Sequence, residues 1–166
     1  MIHRPKVLIL DEPGTGLDPG ARRGLMGFLE ELRDRDGVTC LLTTHLMDEA
    51  DRCDRVAIMD EGKLKCADSP SALKAMIGGD VLTVSASNPA RLARRIAERF
   101  LLETRVLDGV VRIERARGHE FVKELAEAFP GEFDSITVGK ATLGDVFEHL
   151  TGHGLWNRGD PDDPTT

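Results

Sequence analysis

Val7-Leu8-Ile9-Leu10-Asp11-Glu12-Pro13 is the stretch on which the fold turns. Four apolar residues in a row, without alternation, suit a strand buried on both faces of a parallel sheet. Asp11 and Glu12 close that strand. In parallel α/β sheets ligands bind outside the carboxyl ends of the strands, so both carboxylates stand where a ligand would.

Outward from this strand the rhythm alternates. Residues 19–35 read as a helix, with Leu25, Phe28, Leu29 and Leu32 at helical spacing and Pro19 suited to the first turn. Gly37 ends it. Residues 38–43 form a second apolar, β-branched strand, 46–53 a short helix and 55–59 a third strand. Asp60-Glu61-Gly62 turns into a strand over 63–67, and Ser69-Pro70 opens a helix to about Ile77. Strand, helix, strand, helix, strand implies right-handed crossovers and a parallel α/β sheet, to which the Gly62 hairpin adds an antiparallel strand.

After Gly78-Gly79 the pattern changes. Residues 81–86 alternate as a strand, and Asn88 caps a helix through Phe100 with Pro89 at its first position. Strands at 103–107 and 110–114 flank Asp108-Gly109, a two-residue hairpin signal. A helix over 119–129 carries Phe121, Val122, Leu125 and Ala128 on its apolar face, and a last strand covers 133–138. This β-α-β-β-α-β order is the ferredoxin-like pattern. A final helix, 142–151, places Leu143, Val146, Phe147 and Leu150 on one face. The expected division is therefore 1–78, an α/β core, 79–153, a small α+β domain, and 154–166, a disordered tail of prolines and aspartates holding Trp156.

Composition narrows the function. The net charge of −7, without a Lys/Arg-rich run, argues against nucleic acid as a partner. No apolar run approaches the ~20 residues of a membrane-spanning helix, and the N-terminus lacks the pattern of a secretory signal. Membrane association is therefore expected through a partner and not by direct insertion. Cys40, Cys53 and Cys66 are widely spaced, which fits a reducing cytoplasm and neither a disulfide framework nor a zinc site.

His45 follows the second strand, just past Thr43-Thr44. If the first two strands are neighbours, they lie ~4.8 Å apart, and Asp11, Glu12 and His45 project from one sheet edge. That trio suits phosphate chemistry: one carboxylate holds Mg²⁺ through water, the other orients or deprotonates an attacking water, and the imidazole contacts a phosphoryl oxygen. Each residue also has a plainer reading. An Asp-Glu pair after a strand is often only a polar loop, and a His before a helix only a cap. Asp18 can simply start the helix at Pro19 through the helix dipole, and Thr43 and Thr44 can be ordinary strand residues.

Taken together, these segments resemble the ATP-binding-cassette (ABC) transporter ATPases, a branch of the P-loop NTPases. Residues 7–13 resemble that family's Walker B strand, Gly16-Leu17-Asp18-Pro19 is similar to its D-loop, and Thr43-Thr44-His45 with Met47-Asp48-Glu49-Ala50 resembles its switch-histidine segment. Cys53-Asp54-Arg55-Val56-Ala57-Ile58-Met59 and Glu61-Gly62-Lys63 resemble the strand and hairpin that follow. The match is looser at Gly14-Thr15, where the family often has Thr or Ser first. The second segment, ending in Thr142-Leu143-Gly144-Asp145-Val146-Phe147-Glu148-His149-Leu150-Thr151-Gly152, is similar to the C-terminal domain of bacterial drug- or polysaccharide-export ATPases.

The resemblance implies the C-terminal half of an ATP-binding subunit that couples ATP hydrolysis to export. Asp11 would place Mg²⁺, Glu12 would be the catalytic base, His45 would sense the γ-phosphate, and Asp18 would reach across a dimer interface. It further implies a transmembrane permease, a second ATPase subunit, and a place in the cytoplasm on the inner face of the plasma membrane. The family's G-x-x-x-x-G-K-[ST] loop, whose amides and lysine cradle the phosphates, does not occur in these 166 residues. Gly139-Lys140-Ala141-Thr142 lacks both the first glycine and the adjoining hydroxyl. The LSGGQ-like signature and the glutamine-bearing loop, which precede Walker B in the family, are missing too. Hydrolysis by this chain alone is therefore not expected, and a non-catalytic interaction module or an inactive remnant stands as the alternative.

Overall fold

A computed structural model describes residues 5–153; the expected tail at 154–166, with Trp156, lies outside them. The chain divides into two compact units, Met1–Val56 and Ala57–Thr166.

In the first unit, β1 (Val7–Asp11) and β2 (Thr39–Thr43) pair in parallel, with Val7 opposite Thr39 and Asp11 opposite Thr43. The crossover between them is α1 (Pro19–Asp36). Asp18 caps α1, Pro19 sits in its first turn, and Gly37 closes it in the left-handed region. Met26, Leu29 and Leu32 of α1 pack with Val38 against Leu8, Leu10, Cys40 and Leu42 of the strands. Two ion pairs tie α1 to the end of the unit: Arg52 binds Glu30 through two contacts of 2.8 Å, and Arg33 reaches Asp54 at 2.9 Å. The Arg52 guanidinium lowers the Glu30 carboxyl below its ordinary range. The short α2 (Met47–Ala50) follows β2.

The apolar run of β1 was expected to be covered on both faces. Only the α1 side is. On the other face Val7 is 55% exposed, Ile9 72% and Leu41 61%. Alternation along a strand sends every second side chain to each face, and among the described residues of the first unit α1 packs against one of them. Ile9 stands directly opposite Leu41 in the register, so the open apolar surface is continuous across the pair.

β3 (Val56–Asp60), whose first residue closes the first unit, and β4 (Lys63–Asp68) open the second. The sequence predicts that β3 extends the parallel sheet; among the described residues it pairs only with β4. Glu61 and Gly62 both have positive φ (49° and 72°), the backbone of a tight two-residue turn. Closing two residues is local and cheap, whereas parallel pairing needs a long crossover. After α3 (Pro70–Ala75) come β5 (Asp80–Ser85), α4 (Pro89–Phe100), β6 (Arg105–Leu107), β7 (Val110–Arg115), α5 (Gly118–Ala128) and β8 (Ser135–Lys140). The sheet order is β6-β7-β5-β8 with antiparallel neighbours, the ferredoxin-like arrangement. Leu82, Val84, Ile96, Val111, Ile113, Phe121 and Leu125 form its core. The last helix, α6 (Leu143–Thr151), packs against α3, with Leu73, Leu143 and Val146 buried. That contact groups residues 57–78 with the second unit, whereas the sequence places the division at Gly78-Gly79. No helix among the described residues is long and apolar enough to cross a membrane.

Candidate phosphate-chemistry site

The parallel register brings the carboxyl ends of β1 and β2 together. Asp11 lies opposite Thr43, so Glu12 and His45 leave the sheet from the same edge. Glu12 Oε1 lies 3.2 Å from His45 Nδ1, and Glu12 Oε2 accepts a hydrogen bond of 3.1 Å from the Thr15 hydroxyl. The pair is accessible: the His45 side chain is 33% exposed and that of Glu12 48%. Glu12 has φ +43°, a left-handed conformation that side chains other than glycine rarely take. It carries the chain out of the strand into the Pro13–Leu17 loop.

Thr43 supports that turn. Its hydroxyl donates to Asp11 Oδ1 and accepts from the Glu12 amide at 3.0 Å, while its backbone oxygen accepts from the same amide at 3.1 Å. Thr44 joins the opposite side: its hydroxyl donates to Glu49 Oε2 at 2.6 Å and accepts from the Leu46 amide at 3.0 Å. Both threonines were readable as ordinary strand residues. The structure gives each a side-chain bond, Thr43 to Asp11 and Thr44 to Glu49.

Glu49 is the residue the sequence did not single out. It is 1% exposed, and its Oε1 is buried without a hydrogen-bond partner. That oxygen lies over Gly14, where a Cβ would come within 1.7 Å of it. The glycine that loosens the motif thus leaves room for a buried carboxylate. No spacing rule marks this pair, because the contact depends on where α2 sets Glu49 relative to the loop.

Asp18 serves locally. Its Oδ1 accepts from the Gly20 and Ala21 amides at 2.8 and 3.0 Å, capping α1. The hydrogen bonds from Ala21 and then Gly20 hold its carboxyl below the usual range.

The donor set fits Mg²⁺ in one respect. Mg²⁺ keeps most of its water and takes one or two carboxylates plus substrate phosphates, and Asp11 and Glu12 supply hard oxygens at an open sheet edge. Among the described residues no group of three or more His, Cys, Asp or Glu could hold a metal ion as a full cage. A cation here would therefore be shared with a phosphate ligand.

Known proteins resemble most of this chain. Daunorubicin resistance ATP-binding protein DrrA2 of Streptomyces coeruleorubidus is 34% identical over 166 residues, covering 92% of this chain and 50% of that protein. Nod factor export ATP-binding protein I of Paraburkholderia xenovorans is 38% identical over 157 residues, covering 92% of this chain and 49% of its own.

The chain belongs to the ABC ATP-binding protein family.

It spans about half the length of these curated relatives. The family described as "AAA domain, putative AbiEii toxin, Type IV TA system" matches residues 2–49, the part of the ABC chain that holds Asp11, Glu12 and His45. Among solved structures, cbiO1 from Clostridium perfringens, described as part of the ABC transporter complex cbiONQ, is similar at 32% identity. The match covers 58% of this chain and 34% of that one, with a TM-score of 0.41.

Proposed function

We propose that this chain forms the hydrolysis side of an export-type ABC ATPase, with Glu12 as the base that orients and deprotonates an attacking water. The observation that carries the reading is the joint placement of Asp11, Glu12 and His45 at one sheet edge, with Glu12 Oε1 3.2 Å from His45 Nδ1. Asp11 holds Mg²⁺, and bound Mg²⁺ neutralises charge on the phosphates of ATP. Thr15 and His45 hold the Glu12 carboxylate from two sides, so its orientation is set before a water arrives. The imidazole of His45 also contacts a phosphoryl oxygen in this reading. In this reading Asp18 keeps its cap on α1 while facing a second ATPase subunit.

The chain does not hold ATP alone. Cradling of the phosphates is the dominant electrostatic contribution to phosphoryl transfer, and no G-x-x-x-x-G-K-[ST] stretch occurs in the sequence. The N-terminal portion of a cassette ATPase therefore supplies the phosphate loop. The open face of Val7, Ile9 and Leu41 supports this, since parallel sheets are covered on both faces. A transmembrane permease couples the assembly to export, with the ATPase in the cytoplasm at the inner face of the membrane.

Titration calorimetry with Mg-ATP tests this reading, on the purified chain and on the chain mixed with the N-terminal half of a drug-export relative. The expected result is no heat from the chain alone, binding by the mixture, and turnover that Glu12→Gln abolishes. Micromolar binding by the chain alone, or turnover indifferent to Glu12→Gln, overturns it. A second reading, a non-catalytic interaction module, draws on the ferredoxin-like unit having a closed core of its own. It predicts that residues 57–153 suffice to capture a full-length cassette subunit without nucleotide.

A further inference from the structure

The hydroxyl of Thr43 stands between the two carboxylate-bearing residues at the end of β1, and it is bonded to both. A threonine hydroxyl has one proton to give and lone pairs to receive. Here the proton goes to Asp11 Oδ1, and a lone pair takes the Glu12 amide at 3.0 Å. The backbone oxygen of Thr43 lies 3.1 Å from the same amide, so one residue supplies both of its acceptors. This doubled hold acts on a backbone at φ +43°, which an L side chain leaves readily when its support is removed. The turn at Glu12 is also what brings its carboxylate to His45 Nδ1 and the Thr15 hydroxyl.

We propose that Thr43 is a positioning residue for the reaction assigned to Asp11 and Glu12 above: its hydroxyl fixes which Asp11 oxygen is engaged and holds the Glu12 backbone in its left-handed turn. The inference rests on that functional reading. Thr43 is assigned no contact with the reacting water or the phosphate. It acts by committing one oxygen of Asp11 and by directing the base. Valine has the same branched shape without the hydroxyl, and serine has the hydroxyl without the methyl. The two variants therefore separate hydrogen bonding from packing, and Thr43 is exposed enough to accept either.

The test uses the isotope-labelled full chain carrying Thr43→Val or Thr43→Ser, with two readouts. The first needs no nucleotide: the exchange rate of the Glu12 amide and the Glu12 Cα and Cβ shifts, which report the sign of φ. The second is ATP turnover with the complementary N-terminal half supplied. Thr43→Val is expected to speed Glu12 exchange by roughly ten-fold and move its shifts. It should also lower kcat by roughly ten- to a hundred-fold with KM for ATP little changed, the range for losing one hydrogen bond to a charged group. Thr43→Ser is expected to stay near the parent in both. Unchanged resonances from Met26, Leu29 and Leu32 of α1, the core of the same unit, verify folding. A Thr43→Val chain that matches the parent overturns the proposal, as does a Thr43→Ser chain as impaired as Thr43→Val, which would assign the effect to the methyl. If the parent shows no turnover with the complementary half, the hydrolysis reading fails. The valine-serine contrast at the Glu12 amide then decides the hydrogen-bonding role alone, its presence supporting that role and its absence overturning it.

Discussion

A Cβ on residue 14 would lie 1.7 Å from Glu49 Oε1, so Gly14→Ala must displace a carboxylate that is 1% exposed and already holds the Thr44 hydroxyl. The substitution is expected to lower the stability of the first unit by about 1–3 kcal/mol, the scale of overpacking or of a broken buried hydrogen bond. Urea denaturation checks this, and an unchanged midpoint would mean that Glu49 relocates freely. Asp18 gives a pH signature. Its folded carboxyl titrates below the unfolded value, because the Ala21 and Gly20 amides bond its charged form. Its stabilisation is present above about pH 4 and is lost as acid carries the pH down through the folded value. Asp18→Asn keeps a cap acceptor without the titration. Melts of that variant are expected to fall less steeply with acid than those of the parent; parallel acid limbs would remove Asp18 from the account. At this scale the sequence showed Asp11, Glu12 and His45, because strand ends in a parallel sheet share an edge. It did not show Thr43, Thr44 or Glu49. Their bonds depend on the register of two strands and on a positive φ at Glu12, neither of which residue type reveals.

Helix ends and tight turns were the most legible elements, since each writes its chemistry into a few adjacent residues. Asn88-Pro89, Ser69-Pro70 and Asp108-Gly109 mark an α4 cap, an α3 cap and a turn that the structure contains. Pairing was less legible. The hairpin of β3 with β4 across Glu61-Gly62 was readable from its turn, whereas the expected place of β3 in the parallel sheet was not, since among the described residues it pairs only with β4. Strand partners are long-range facts, and apolar runs look alike whether they sit mid-sheet or in a hairpin. The capping box of α6 offers a test of an element. Thr142 accepts from the Asp145 amide, and Asp145 Oδ2 accepts from the Thr142 amide at 2.7 Å. Thr142→Ala is expected to destabilise α6 by about 1 kcal/mol and to raise amide exchange there and in α3, which packs against it. Exchange confined to residues 142–145 would mean that the box closes the helix end without supporting the packing.

At the scale of the whole molecule, each unit has its own core, and among the described residues the first unit leaves Val7, Ile9 and Leu41 exposed on one sheet face. The ferredoxin-like sheet packs Leu82, Ile113, Phe121 and Leu125 at 0–1% exposure. The parallel pair β1–β2 has two strands and one helix. Local opening follows buried apolar contact, so hydrogen exchange is expected to open residues 5–56 before residues 80–140. Adding the N-terminal half of a drug-export relative is expected, on the proposed function, to protect β1 and β2 and to leave β5 and β7 unchanged. Equal protection of both units in the chain alone would contradict this order. The face formed by Val7, Ile9 and Leu41 also has a meaning for the cell that makes it. Surplus copies meet water on that face, then one another, a chaperone or a protease. Whatever covers that face therefore also governs how long these residues stay dispersed in solution.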